Sequence, residues 1–265
     1  MITQVNESEL MQIDEVIGNN YFKCLYLYMD YKRYGTNDKN VKIWVQKSDN
    51  KIYTVILKYY TGMHIFSTKI GYNVEELIDL INSENPAMIC GEKILINCIE
   101  RNMKNSTYES EYGWVRKLYK LNDCVNCDGI VANKNDFYSI AKLIYEDEDL
   151  GSSYKLEELA NQMYERNKDG FSRNYVIKKD NKVVSHVATG AEYEKIAMIS
   201  YVVTDKKYRH QGLATKLLNY TCKQLIEENK EIYLINYSKE SSSLYDKIGF
   251  NICCEWGKLF LNLKK

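Results

Sequence analysis

The fold of this 265-residue chain is decided by the stretch Val202-Val203-Thr204-Asp205-Lys206-Lys207-Tyr208-Arg209-His210-Gln211-Gly212-Leu213-Ala214-Thr215. A strand ends here, a basic turn follows, and a helix begins at Gly212. The first N–H groups of a helix have no intrahelical partner, and the summed peptide dipoles place about half a positive charge there. Because Gly212 and Ala214 have little or no side chain, an anion can approach the backbone closely. The stretch therefore predicts a site for a phosphate or pyrophosphate.

Two common phosphate-binding motifs are absent from the sequence. Neither G-x-G-x-x-G nor G-x-x-x-x-G-K-[ST] occurs, which disfavours a Rossmann dinucleotide site and a P-loop nucleotide site. A glycine at a strand-to-helix turn also fits an ordinary turn with solvated charges, so the turn alone does not establish a binding site.

Helices and strands alternate on both sides of this turn. The hydrophobic pattern of the C-terminal half predicts helices at 135–146, 156–163, 213–228 and 241–248, and strands at 175–177, 183–189, 196–203, 232–236, 250–254 and 258–263. Such an order is typical of a mixed α/β (α+β) fold in which a central mixed sheet is flanked by helices.

A possible repeat links the two halves of the chain. The segments Lys47-Ser48-Asp49-Asn50-Lys51-Ile52-Tyr53 and Lys178-Lys179-Asp180-Asn181-Lys182-Val183-Val184 both predict a strand, an Asp-Asn turn and a second strand. Their offset is 131 residues, almost half of the chain. A tandem of two similar domains is one explanation, and a chance match is the other, because Lys and Asn are abundant. We expect a domain at 1–125 and a second at 126–265.

Charge and composition exclude several classes of protein. Lys+Arg and Asp+Glu are 36 each, so the net charge is zero, which argues against a nucleic-acid partner. No apolar run approaches about 18 residues, so no membrane partner is expected. The polar, acidic start at residues 1–9 does not resemble a signal peptide, and the expected location is cytoplasmic, where the cysteines stay reduced. Cys124 and Cys127 have metal-ligand spacing, but the only other candidate pair is Cys253-Cys254, so we expect no metal site.

Two motifs resemble a known family. Arg209-His210-Gln211-Gly212-Leu213-Ala214 fits the R/Q-x-x-G-x-G/A signature of the GNAT N-acetyltransferases, and Leu244-Tyr245-Asp246-Lys247-Ile248-Gly249-Phe250 fits their L-Y-x-x-x-G-F signature. The resemblance covers about residues 129–265. The N-terminal half has neither signature, since Thr68-Lys69-Ile70-Gly71-Tyr72-Asn73 follows its corresponding strand. A second, degenerate copy there is not expected to bind coenzyme A.

The resemblance implies direct transfer of an acetyl group from acetyl-CoA, as co-substrate, to a primary amine of a small molecule or peptide. It places the pyrophosphate of the coenzyme on the turn formed by Arg209, His210, Gln211, Gly212, Leu213, Ala214 and Thr215. It places the pantetheine arm along Val202, Val203 and Thr204, with an N–H near Val202 stabilising the oxyanion. Tyr245 stands at the general-acid position, where its phenol would protonate the leaving sulfur.

Two further positions on this template stay open. Asn236, at the end of its strand, either bonds the coenzyme arm or caps the next turn. Ser238 stands where the family often has Asn, which weakens any claim that this position touches the coenzyme.

No general base can be assigned from the sequence. The family's glutamate position falls near Ile196, which cannot accept a proton. Glu192 and Glu194 are more often hairpin charges that face water, although Glu194 would share a strand face with residue 196 if the strand extended that far. His186 is the other candidate, because histidine side chains ordinarily titrate near neutrality, but a lone His on a strand is more often structural. Water, or an amine that binds in its neutral form, is the remaining explanation.

Two functions therefore remain open at this point. Tyr245 favours an acetyltransferase, whereas the missing base favours a non-catalytic acyl-CoA-binding sensor or scaffold. Homodimers are common among relatives, but an internal pseudo-dimer would allow a monomer.

Overall fold

The computed structural model describes residues 1–103, 107–122, 127–148, 150–151, 155–168 and 170–261. The chain divides into two compact units. The first consists of Met1–Val115 and Ile252–Lys265, and the second of Arg116–Asn251. The assignment of 1–125 as an accessory domain and of 126–265 as a coenzyme-binding domain stays a prediction. No helix in the described ranges has the length and apolarity needed to cross a membrane.

The first unit is a mixed sheet with helices. The elements up to residue 118 are β1 (Ile2–Gln4), α1 (Leu10–Ile17), α2 (Leu25–Tyr34), β2 (Val41–Ser48), β3 (Lys51–Tyr59), β4 (Gly62–Ser67), α3 (Val74–Glu84), β5 (Met88–Glu92), α4 (Lys93–Asn102) and β6 (Tyr108–Leu118). The last strand of the chain, β12 (Phe250–Leu261), completes the sheet of this unit. The strand order is β1-β2-β3-β4-β5-β12, with β4 and β5 parallel and the other pairs antiparallel.

The second unit repeats this order of elements. It contains β7 (Ile130–Val131), α5 (Phe137–Tyr145), α6 (Leu156–Lys168), β8 (Arg173–Lys179), β9 (Lys182–Tyr193), β10 (Ile196–Thr204), α7 (Leu213–Glu227), β11 (Glu231–Asn236), α8 (Lys239–Ile248) and the start of β12 (Phe250–Leu261). Its strand order is β6-β11-β10-β9-β8-β7, with the end of β6 at one edge and β10 parallel to β11.

The two faces of the second sheet bury two hydrophobic clusters. Tyr175 and Ile177 of β8 pack in a cluster with α7 and α8, whereas Val176 between them packs with α5 and α6. Successive side chains of a strand point to opposite faces, which explains this alternation. The predicted mixed sheet flanked by helices is therefore confirmed.

The two predicted hairpins have the same backbone geometry. Asp49 and Asn50 have φ values of 52° and 61°, and Asp180 and Asn181 have 49° and 60°. Two consecutive left-handed residues make the tight turn that matches the twist of antiparallel strands, and Asp and Asn tolerate this region. The hairpins join β2 to β3 and β8 to β9. Their equivalence supports two similar halves.

The last strand of the chain differs from the prediction. Separate strands were predicted at 250–254 and 258–263, but a single strand runs through Phe250–Leu261. Trp256 is 2% exposed, and a Cβ on Gly257 would lie 2.9 Å from Ile96. The glycine thus allows a close approach to α4, and does not break the strand.

Gly249, which ends α8, gives a test of this packing. Its φ is 115°, and a Cβ there would lie 2.0 Å from the Lys120 carbonyl oxygen. We expect Gly249→Ala to lower the free energy of unfolding by about 1–3 kcal/mol, because both the backbone and the neighbouring carbonyl must shift. Urea denaturation followed by circular dichroism measures the change.

Gly170→Ala is the matched control. Its φ of 72° is also left-handed, but no atom of the described residues beyond its chain neighbours lies within 4 Å of the added Cβ. A loss of about 1 kcal/mol is expected from the backbone alone. Equal losses for the two variants would contradict the role of the Lys120 contact.

Candidate functional site

The strands β10 and β11 separate at their C-terminal ends. Their parallel pairing runs from Ile196↔Glu231 to Ile199↔Leu234. Beyond it, β10 continues to Thr204 beside β9, while β11 continues to Asn236. The separation leaves a gap in the second sheet, where the backbone of β10 can pair with another extended chain.

A bulge in β10 lies beside this gap. The register against β9 shifts between Ser200 and Val203, and Tyr201 has a φ of 52°. Between these pairs, β10 has two residues, Tyr201 and Val202, and β9 has one, Val187. A bulge bends a strand and redirects its backbone groups. It occurs where the sequence predicted that Val202, Val203 and Thr204 line the site.

The turn that follows β10 presents a row of backbone donors. Gly212 is left-handed, with φ 74° and ψ 9°, and no side chain caps α7. The first helical bond runs from the Lys216 N–H to the Gly212 carbonyl at 3.0 Å. Among the described residues, no backbone carbonyl accepts from the N–H groups of 210–215. Arg209 differs, since its N–H donates to Lys206.

The Arg209 side chain holds the turn in place. Its Nε donates to the Thr204 carbonyl at 3.2 Å, and its Nη2 lies 2.9 Å from a carboxylate oxygen of Asp147. Lys206 pairs with Glu148 at 2.5 Å. Both acidic residues follow α5. These two cations are therefore neutralised by protein groups and clamp the turn to the segment after α5.

A third cation lies beside the donors. The Nζ of Lys179 is 3.4 Å from Oε1 of Gln211 and 5.2 Å from the ring centre of Tyr208. This lysine adds positive charge next to the exposed N–H groups, which favours an anion.

Helix α3 of the first unit, which corresponds to α7, has negatively charged side chains in its first turn. Its start follows Asn73, which is left-handed with φ 48°, as Gly212 is in the second unit. Glu75 and Glu76 occupy its first turn. Carboxylates there use the positive end of the helix dipole and repel a second anion. This charge gives a physical reason for the prediction that the first unit does not bind coenzyme A.

The first unit has a cleft elsewhere. Its volume is about 500 Å³, and its lining includes Ile70, Cys98 and Arg101. All of these residues belong to the first unit. The cleft is therefore separate from the turn at 210–215.

Tyr245 lies on α8 in the apolar cluster that contains α7. It is 8% exposed, and its ring meets that of Phe250 edge-on at 6.1 Å between centres. Burial raises the pKa of Tyr245 to about 12, and the positive charge of Arg116 opposes this rise. The phenol is thus protonated at neutral pH, as a hydrogen-bond or proton donor must be.

Asn236 is placed as a capping residue. It is 3% exposed, and its Oδ1 accepts from Nε of Arg116 at 2.6 Å. Its Nδ2 donates to the Ser238 carbonyl and to Oγ of Ser242. Ser238 in turn caps α8 through its Oγ. The amide is engaged at both ends by protein, which favours the capping alternative over a bond to the coenzyme.

The three candidate bases are either bonded to other protein groups or exposed in a turn. Glu192 is buried, contrary to the expected solvent exposure, because Arg173 pairs with both of its carboxylate oxygens at 2.7 and 2.8 Å. Glu194 lies in the exposed turn between β9 and β10, with a φ of 46°, and not on the strand. His186 is fully buried with its Nε2 2.9 Å from Asn174, and burial lowers its pKa to about 3. None of the three is therefore placed as a base.

The absence of a metal site at Cys124 and Cys127 stays a prediction. Cys124 lies outside the described residues, and the pKa of Cys127 is raised by burial. In the described part of the chain, no group of three or more His, Cys, Asp or Glu side chains is placed to hold a metal ion.

Two residues of the site were missed from the sequence. Asp147 stands in the acidic run 146–149, which was a detectable signal. Arg116 contacts Asn236 across 120 positions of sequence, and no local pattern marks it.

Part of the chain matches a known protein family. Residues 135–250 match the model of the acetyltransferase (GNAT) family. No curated protein matches the chain.

Solved structures resemble nearly the whole chain. A GNAT-family acetyltransferase from Colwellia psychrerythraea is 13% identical, with a TM-score of 0.61, 99% of this chain and 100% of that chain being covered. A GCN5-related N-acetyltransferase-like protein from Streptococcus suis is 14% identical, with a TM-score of 0.62 and 96% and 99% covered. A tandem GNAT protein from the clavulanic acid biosynthesis pathway is 10% identical, with a TM-score of 0.63 and 98% of both chains covered. This likeness supports a fold of two GNAT-like halves.

The buried His186 predicts a pH dependence of stability. Its folded pKa of about 3 lies below the value near 6.5 expected for an unfolded His. The unfolded chain therefore binds this proton more readily, and stability falls as the pH drops below about 6.5 towards 3. Relative to wild type, His186→Gln should remove up to about 1.4 kcal/mol of this loss per pH unit. Urea unfolding between about pH 7 and pH 4 measures it, and parallel curves for the two proteins would refute the prediction.

Proposed function

We propose that this chain, whose residues 135–250 form a domain of the GNAT acetyltransferase family, transfers an acetyl group from acetyl-CoA to a primary amine of a small molecule or peptide. The observation that carries the proposal is the row of N–H groups at 210–215, which no backbone carbonyl in the described chain engages. These donors lie next to the gap between β10 and β11. The expected cytoplasmic location and the monomeric or homodimeric state stay predictions.

The residues of the turn fit a diphosphate. Leu213, Ala214 and Thr215 supply the first N–H groups of α7, and His210 and Gly212 are both left-handed. Successive N–H groups in such conformations form a concave anion site. Among the described residues, apart from the two that adjoin Gly212, no atom lies within 4 Å of the position of a Cβ there, so a phosphate has room to approach.

The bulged strand fits the pantetheine arm. Val202, Val203 and Thr204 lie beyond the last pair that β10 makes with β11. An amide-bearing arm can hydrogen-bond to such a strand as an added strand does. The N–H of Val202 is our candidate donor to the oxyanion that forms at the thioester carbonyl.

The reaction needs one nucleophilic displacement. The amine nitrogen forms a C–N bond with the thioester carbon, and the electrons of the carbonyl move to its oxygen. Collapse of this intermediate breaks the C–S bond. Tyr245 donates its phenolic proton to the departing sulfur. The attacking nitrogen releases one proton to solvent, and the tyrosinate takes up one proton from solvent, which restores the phenol. A buried phenol with a pKa of about 12 keeps this proton at neutral pH.

A second function is favoured by the engagement of the candidate bases. Glu192 is paired with Arg173, and His186 is buried as a neutral ring. A non-catalytic acyl-CoA-binding sensor or scaffold needs no base. A panel of primary amines, polyamines, aminoglycosides and peptides, scored for thiol release, separates the two. Tight acetyl-CoA binding without release on any amine would favour the sensor.

A charge placed at the start of α7 tests the diphosphate site. Asp and Asn both tolerate the left-handed backbone of Gly212 and differ little in volume. We expect Gly212→Asp to weaken acetyl-CoA binding about tenfold or more relative to Gly212→Asn, because its carboxylate repels the diphosphate. Isothermal calorimetry at low salt gives both constants. Equal affinities of the two variants for acetyl-CoA would show that the diphosphate does not bind at this turn.

Removal of the phenolic hydroxyl tests the general acid. We expect Tyr245→Phe to lower kcat about 10²- to 10⁴-fold while the Kd for acetyl-CoA stays within about twofold. Tyr175→Phe is the control, because Tyr175 is buried in the same apolar cluster and is not part of the proposed site. A Tyr245→Phe enzyme that loses coenzyme binding but not turnover would make Tyr245 a structural residue.

A further inference from the structure

Arg116 is a buried cation beside the proposed site. It lies on β6, belongs to the second unit and is 3% exposed. It precedes residues 135–250, which match the acetyltransferase family model. The family-matched segment therefore does not contain this residue.

The guanidinium of Arg116 contacts three points around α8. Its Nε donates to Oδ1 of Asn236 at 2.6 Å, before the helix begins. Its Nη1 lies 2.6 Å from Oδ1 of Asp246, within the helix, and 3.4 Å from the carbonyl of Phe250, after the helix ends. A single side chain thus holds the strand before α8, the helix itself and the strand after it.

Tyr245 lies among these contacts. It is adjacent to Asp246 in sequence, and its ring packs edge-on against Phe250. Asn236 extends the chain of contacts, because its amide donates to Ser238 and Ser242 at the start of α8. The position of the phenol relative to the end of β11 is therefore set by groups that Arg116 bonds directly.

We propose that Arg116 is a positioning residue that fixes α8, and with it the hydroxyl of Tyr245, against the end of β11. This inference rests on the proposed acetyl transfer, in which Tyr245 protonates the sulfur. A misplacement of the donor by about 1 Å can cost a proton transfer about 100-fold in rate. Coenzyme binding, by contrast, depends on the donors at 210–215 and does not need Arg116.

Lysine cannot replace arginine at this position. The planar guanidinium offers several N–H donors in a fixed fork, which here reach three acceptors in different directions. An ammonium is a point charge on a flexible stem. We expect Arg116→Lys to lower kcat about 10- to 100-fold while the KM for acetyl-CoA stays within about twofold.

Lys117→Met is the matched control on the same strand. Lys117 follows Arg116 in sequence and forms an ion pair with Glu231 of β11. This variant should keep kcat within about twofold of wild type. Asp246→Ala removes the helix partner of the same contact and, like Arg116→Lys, should lower kcat. It keeps the test valid if the Arg116 variant does not fold.

A double-mutant cycle separates positioning from general stability. In the Tyr245→Phe background, the phenol is absent, so Arg116→Lys and Asp246→Ala should each change kcat by less than about threefold. An additive loss, equal in both backgrounds, would show that Arg116 does not act through Tyr245 and would overturn the proposal. A KM for acetyl-CoA that rises while kcat stays constant would also overturn it.

Hydrogen exchange adds a readout that does not need turnover. The amides of α8 should exchange faster in Arg116→Lys than in Lys117→Met, because the Arg116 variant loses the bond from Arg116 to Asp246 of the helix. Unchanged exchange in α8 would overturn the positioning role even if acetyl transfer is observed. If the wild-type protein releases no thiol with any amine, acetyl transfer fails, and with it any catalytic role of Arg116. The two failures are thus distinguishable.

Discussion

The N–H groups at 210–215, which no backbone carbonyl of the described residues engages, are the feature on which the rest of the proposed site depends. They exist because α7 starts without a capping side chain, immediately after left-handed Gly212. A helix end in this state is stable only where water or a ligand satisfies its donors. Arg209 holds the turn open through Asp147 and the Thr204 carbonyl, while the buried face of α7 fixes the helix to the sheet. The protein therefore maintains an arrangement of donors that is suited to an anion.

The two units show how one scaffold can gain or lose such a site. Both have a helix that follows a left-handed residue after the third strand of a meander. In the first unit, Glu75 and Glu76 occupy the first turn, whereas α7 has no acidic residue there. The order of elements is thus shared, and the two units differ in the charge of one helical turn, which under our proposal favours a diphosphate in the second unit.

Local patterns were enough to predict much of the fold. The Asp-Asn hairpins, the glycine before α7 and the Tyr245 signature each depend on neighbouring residues, so short sequences specify them. The burial of Glu192 could not be predicted, because it depends on Arg173 from another strand. Arg116 likewise reaches Asn236 across 120 positions. The predicted split of the last strand was wrong because Gly257 serves close packing and does not make a turn. Contacts between distant segments, rather than local propensity, account for these differences.

A crystal structure of the intact protein with bound coenzyme A tests the central claim most directly. The account predicts the diphosphate oxygens within hydrogen-bond distance of several N–H groups of 210–215, with the pantetheine arm beside Val202 and Val203. The thiol would then lie close to the Tyr245 hydroxyl. A coenzyme bound only in the first unit, or a second unit whose turn is filled by its own side chains, would contradict the account.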